Sequence, residues 1–205
     1  MGSNEYHFIS DWQVEGTVDE VSAIISDTAS LPRWWPSVYL AVTVLQPGRE
    51  DGTQKVVKLL TRGWLPYSLD WTLRVTESRH PHGFTLEAEG DFSGRGIWHF
   101  VQDGPRVLIR YDWKIRADKP LLRTLSFGFK PVFEVNHRWA MERGEKSLRL
   151  ELARRHARRA DQLAAIPAPP GPARLSTPLL WLVCATAVLA GGTCAIAVFR
   201  SPVTR

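Results

Sequence analysis

Between residues 38 and 115 the chain produces one strand-like run after another, and this most narrows what it can fold into. The runs are 38–45, 54–61, 68–76, 84–88, 96–101 and 107–115, and most of the breaks carry turn residues, among them Pro47-Gly48, Gly63, Pro81-His82-Gly83 and Asp103-Gly104-Pro105. A parallel pair of strands needs a crossover of a dozen residues or more, and these breaks are too short. The pattern therefore predicts an antiparallel meander.

An earlier run adds a strand. Phe8, Ser10, Trp12 and Val14 alternate with Ile9, Asp11, Gln13 and Glu15 and stop at Gly16, which is the period of a half-buried strand. The period then lengthens. Thr17 is placed to cap a short helix carrying Val21, Ile24 and Ile25, with Asp19 and Glu20 in the first turn, where carboxylates complement the helix dipole. Leu31-Pro32-Arg33-Trp34-Trp35-Pro36 ends it, with room for a second helical turn.

Three Asp-Trp dipeptides, at 11–12, 70–71 and 112–113, show how the sheet is sided. Neighbours on a strand point to opposite faces. Leu69, Trp71, Leu73 and Val75 share one face, and so do Val107, Ile109, Tyr111, Trp113 and Ile115; Asp70, Thr72, Arg74, Arg110, Asp112 and Lys114 take the other. One face is covered and one is wet. The aspartates are then cross-strand partners for arginines rather than catalytic acids.

Cover for the apolar face comes from the C-terminal third. A helical stretch opens at Lys119-Pro120, and Pro131 is expected near the start of a second, longer helix running to about Leu163. On that helix Phe133, His137, Ala140, Met141, Gly144, Leu148 and Leu152 form one stripe at spacings of three and four, facing the sheet, with Trp139 mostly off it.

Beyond it, residues 161–178 read as a proline-rich linker, and residues 179–199, LLWLVCATAVLAGGTCAIAVF, hold no charge. As a helix such a run is roughly 30 Å long, the hydrocarbon thickness of a bilayer. The expectation is a transmembrane helix followed by a short tail, 200–205. Trp181 sits where the interfacial aromatic belt would be, and Ala187, Gly191 and Ala195 form a small-residue face for pairing two copies as a homodimer. Cys184 and Cys194 both lie in this run, about 15 Å apart along a helix and out of disulfide reach.

The N-terminus MGSNEYHFISDW has no signal-peptide pattern, and Tyr6 stands where a myristoylation site needs Ser or Thr. With arginines nearly balanced on the two flanks of the apolar run, the short tail decides the expected topology: the soluble domain is placed in the cytoplasm. The net charge of +5 is local: residues 138–174 carry nine Lys/Arg against four Asp/Glu. Next to a span that basic stretch reads as a membrane-facing or solvated helix end, and no nucleic-acid partner is expected.

The order of strand, short helices, serial antiparallel strands and long C-terminal helix, together with residues 31–36, 90–98 and 130–141, resembles the SRPBCC (START-like, helix-grip) superfamily, and within it the polyketide cyclase/dehydrase and lipid-transport-like branch. The resemblance covers about residues 6–157 within an expected domain of 1–160. It implies an α+β helix-grip fold: a curved antiparallel sheet of about seven strands around a long C-terminal helix, with a hydrophobic cavity between them. It implies a pocket more firmly than a reaction.

Motifs for other chemistry are missing from the sequence. Gly94-Arg95-Gly96 is followed by His99 where a dinucleotide loop has its third glycine, and it enters a strand rather than a helix. His80-Pro81-His82 has metal-like spacing but no third ligand nearby, so neither metal nor cofactor is expected. The candidate ligand-binding residues are Trp12, Trp35, Trp71, Tyr111, Trp113, Phe133, Asn136, His137 and Met141, aromatic wall with few polar groups. No catalytic residue is assigned; His137, on the apolar stripe, is the candidate for general acid/base work, with a hydrogen-bonded core histidine as the plainer reading. The leading expectation is a membrane-tethered domain binding a hydrophobic small molecule or lipid. The alternatives are a cyclase- or aromatase-like enzyme, and a scaffold whose cavity is filled by its own side chains.

Overall fold

The computed structural model describes residues 4–65, 67–117 and 120–173, the side chains of 120–130 excepted. Among them, β1 (Glu5–Glu15) leads into α1 (Val18–Ile25), a 3-10 turn at Thr28–Ser30 and α2 (Leu31–Trp34). The strands β2 (Tyr39–Gln46), β3 (Val56–Thr61), β4 (Leu69–Ser78), β5 (Gly83–Gly90), β6 (Phe92–Asp103) and β7 (Arg106–Ala117) follow. The long α3 (Pro120–His156) and the short α4 (Ala160–Ala165) close the described part.

The seven strands form one sheet in the order β1-β7-β6-β5-β4-β3-β2, antiparallel throughout. The short turns dictate this meander. The one long excursion, through α1 and α2, carries the chain from the β1 edge to the β2 edge. At its start Thr17 Oγ1 accepts from the Glu20 amide, and the Thr17 amide donates to Glu20 Oε2 at 2.9 Å, closing a capping box. Val21 and Ile24 are fully buried on the inner face of α1.

Period-two alternation survives in the burial of the strands. Trp71, Leu73, Val75, Val107, Ile109, Tyr111 and Trp113 are buried, while Asp70, Arg74, Arg110 and Lys114 are exposed. All three Asp-Trp carboxylates have cross-strand partners, but only one is an arginine. Arg110 donates to Asp11 at 2.7 Å, directly across the β1–β7 ladder, whereas Asp70 meets Lys58 at 3.2 Å and Asp112 meets His7 at 3.0 Å. The register chooses the partner: which cation stands opposite or diagonal depends on strand pairing.

The expected helix boundary at Pro131 is corrected. Pro131 lies inside α3, which runs unbroken from Pro120 and stops at His156, short of Leu163. An interior proline costs a helix about 3 kcal/mol. Packing outweighs it: Met141, Gly144, Leu148 and Leu152 are buried along one stripe of the same helix.

Among the described residues no helix is long and apolar enough to cross a membrane. The apolar run 179–199, with Trp181, Cys184, Cys194 and its small-residue face, lies outside the described residues, as does the tail 200–205. Residues 166–173 carry no regular secondary structure.

Candidate functional site

Between the concave face of the sheet and the middle of α3 lies a cavity of about 170 Å³. The inward-facing residues of the strands supply most of its wall: Tyr6 and Phe8 from β1, Trp71 from β4, Phe92 and Trp98 from β6, and Tyr111, Trp113 and Ile115 from β7. Trp35 and Tyr39 come from the α2–β2 corner, and Phe133, Asn136, His137, Ala140 and Met141 from α3. An apolar cavity of about 150 Å³ is large enough for a single aromatic ring. The space is thus larger than a few waters, and the domain's own side chains do not fill it.

Close approach of backbone to ring makes the room. A Cβ on Gly96 would stand 2.7 Å from both the Trp113 ring and the Tyr111 hydroxyl. Gly94-Arg95-Gly96 therefore serves the packing of β6 beneath aromatic rings on β7. Gly144 does the same on α3, where the Trp35 indole occupies the place a Cβ would take.

The rings are ordered against one another. Tyr111 stacks on Trp98 with centroids 4.1 Å apart and 14° between planes, and on Trp113 at 5.5 Å. Trp71 packs on Phe92 at 4.9 Å, while its indole N–H donates to Thr61 Oγ1 at 3.0 Å. Such aromatic contacts add about 0.5–1.5 kcal/mol each beyond the area they bury.

The polar groups are few and sit mainly at two places. Burial pushes the phenols of Tyr39 and Tyr111 above their ordinary range, Tyr39 adding its influence on Tyr111. The Trp35 indole N–H beside them is buried without a hydrogen-bond partner among the described residues. At the other place, Asn136 Oδ1 accepts from the Trp64 amide at 2.9 Å and the Leu65 amide at 3.4 Å, tying the β3–β4 loop to α3. Arg62, Gly63, Tyr67, Phe133 and Asn136 also line the cavity and are half-buried, as are Phe8, Tyr39, Leu69 and His137.

His137 belongs to the wall and is held neutral. Its ring stacks on Phe8 with centroids 4.2 Å apart, and Nε2 shares a 3.3 Å hydrogen bond with Ser10 Oγ, in which the hydroxyl donates when Nε2 is bare. Burial pulls its pKa down to about 4, because the charged form would lose solvation here.

Eight of the nine residues singled out from the sequence line this cavity. Trp12 does not: it is 5% exposed, packed edge-on against Trp35 and Trp98 at 5.5 Å each, one layer behind the wall. Sequence reasoning passed over Tyr6, Phe8, Tyr39, Phe92 and Trp98. A signal existed for Phe8, which shares the face of Trp12, and for Trp98, which closes the 90–98 segment. Among the described residues no group of three or more His, Cys, Asp or Glu side chains is arranged to hold a metal ion. His82 instead faces the Phe100 carbonyl oxygen, 3.4 Å from its Nδ1.

No curated protein sequence matches the chain. Several solved structures share its fold. A START superfamily protein from Mycobacterium smegmatis is 17% identical, with 70% of this chain and 94% of that one covered at a TM-score of 0.56. The Zhui aromatase/cyclase from Streptomyces sp. R1128 is 16% identical, with 75% and 97% covered at 0.57. A truncated norcoclaurine synthase from Thalictrum flavum is 13% identical, with 72% and 93% covered at 0.51. At such identities the likeness is one of fold. The sequence itself goes further, since the family model described as polyketide cyclase / dehydrase and lipid transport matches residues 14–143, most of the sheet and the cavity-lining part of α3. The chain belongs to the polyketide cyclase / dehydrase and lipid transport family.

Proposed function

We propose that this domain binds a hydrophobic small molecule or lipid by enclosing a ring-sized part of it in the cavity, and that residues 179–199 tether the domain to a membrane from its cytoplasmic side. The observation that carries the binding reading is the cavity of about 170 Å³, walled by aromatic side chains with few polar groups. The tether rests on the sequence alone: a run of bilayer length without charge, behind the proline-rich stretch.

A cyclase- or aromatase-like activity is the second reading, favoured by the family and by the buried phenols of Tyr39 and Tyr111 in the cavity wall. The state of His137 weighs against that residue as its acid or base. A general base works best with a pKa near the operating pH, and a group pulled down to about 4 is a weak base at neutrality.

The test is extraction of the purified full chain for bound small molecules by mass spectrometry, followed by titration with a fluorescent fatty acid and with an aromatic probe. Ala140→Phe, which fills the cavity from α3, is expected to abolish uptake while the fold persists. A chain that carries nothing and takes up neither probe overturns the binding reading. Turnover of an identified substrate that survives in His137→Ala places any catalysis elsewhere in the cavity. Protease access to the domain in sealed, oriented vesicles decides the topology.

A further inference from the structure

The two ends of α3 differ in character. Its middle part supplies Phe133, Asn136, His137, Ala140 and Met141 to the cavity. From His137 to Arg155 the helix rises roughly 27 Å. At this far end, residues 149–159 hold Arg149, Arg154, Arg155, Arg158 and Arg159 against a single carboxylate, Glu151.

That carboxylate is already committed. Glu151 is 3% exposed and receives both Arg33 nitrogens, at 2.8 and 2.9 Å, with Arg155 at 3.4 Å. Arg149 meets Glu145 at 2.6 Å, His156 meets Glu20 at 2.6 Å and Arg159 meets Asp161 at 3.0 Å. Arg158 makes no side-chain hydrogen bond to another described residue, and Arg154 donates only to a neutral acceptor, the Pro167 carbonyl. That last bond also places the start of the proline-rich stretch at this end. Beside these arginines, α4 presents Leu163 half exposed.

We propose that Arg154, Arg155, Arg158, Arg159 and Leu163 form a docking surface for an anionic lipid bilayer, which holds the cavity-lining part of α3 away from that bilayer. This rests on the reading of residues 179–199 as a tether. Each arginine near an anionic leaflet is drawn to it, and an apolar side chain among cations is the composition of a segment lying in the headgroup layer. The stretch that begins at residue 166 leaves from the same surface and keeps it within a short linker's reach of the lipid. The consequence is functional: the ligand exchanges with a carrier or enzyme on the aqueous side rather than directly with the anchoring bilayer.

The test uses the full chain with Cys184→Ala and Cys194→Ala and one new cysteine carrying a fluorophore. The first site is Asp103→Cys, at the end of β6 opposite Arg106, a residue that lines one groove with Arg149 and His156. The second is Glu5→Cys, beside Tyr6 at the cavity end of β1. The chain is reconstituted in vesicles of phosphatidylcholine, with or without phosphatidylserine, that carry a headgroup-linked quencher. With phosphatidylserine, the label at Asp103 is expected to be quenched several-fold more than the label at Glu5. High salt, or Arg154→Gln with Arg158→Gln and Arg159→Gln, should remove the difference. Equal quenching at the two sites, stronger quenching at Glu5, or tighter binding to a DNA duplex than to phosphatidylserine vesicles overturns the docking surface. A chain that fails to float even with pure phosphatidylcholine vesicles overturns the tether instead, so the two failures are told apart.

Discussion

The imidazole of His137 lies face to face on the ring of Phe8, 4.2 Å between centroids and 14° between planes. An imidazole in that position is stable only while neutral, and burial holds its pKa at about 4 against about 6.5 for a free histidine. On acidification the unfolded chain takes up this proton first. The stability contribution is therefore complete above about pH 6.5 and is lost as the pH falls towards 4, by at most about 3 kcal/mol. His137→Phe keeps the stack without the titration, so denaturant unfolding between pH 4 and 7 should show a flatter stability profile than wild type.

Asn136 secures the β3–β4 loop through the Trp64 and Leu65 amides. Asn136→Ala should release about 1–2 kcal/mol of local stability. Amide exchange at Trp64 should then quicken about tenfold, with little change in global unfolding. Asn136→Asp, which keeps the acceptor oxygen, should stay close to wild type in the same exchange measurement.

At Gly144 the helix touches the Trp35 indole directly. Gly144→Ala must displace either α3 or a ring of the cavity wall, at about 1–3 kcal/mol. Calorimetry should show the lower Tm, and the aromatic probe should bind more weakly, because Trp35 lines the cavity.

Glu151 joins α3 to α2 through Arg33. Burial alone would raise its carboxyl, but hydrogen bonds from Arg33 and Arg155 more than reverse this and leave it below the ordinary range. Its stabilisation is thus present above the unfolded carboxylate's pKa and fades as the pH falls through the lowered folded value. The Arg33 side chain is 57% exposed, so Glu151→Gln strands no buried cation, and the loss should be about 1–2 kcal/mol at neutral pH. Thermal unfolding of wild type and variant should converge in strong acid.

Much of the fold was legible because strand alternation is a local property. Trp71 and Trp113 face inward beside outward Asp70 and Asp112, as their positions in period-two runs require. The partners of those aspartates were not legible, since Lys58 and His7 reach them only through strand register. Nor was the unbroken passage of α3 through Pro131: a helix rule gives the local cost of proline, while the opposing packing of Leu148 and Leu152 comes from residues distant in sequence.

The sequence by itself determined the serial antiparallel pairing of β2 to β7, the face each side chain takes, the capped α1 and the apolar stripe of α3, because all of these follow from neighbouring residues and backbone geometry, whereas the place of β1 beside β7 is a long-range contact. Only the tertiary structure decided which inward residues meet a void and which meet each other. Trp12 and Trp98 both point inward, yet Trp98 lines the cavity while Trp12 packs behind it. That outcome depends on how the sheet closes on α3 and how near Gly96 and Gly144 let the rings approach, a sum of long-range contacts that no local pattern contains.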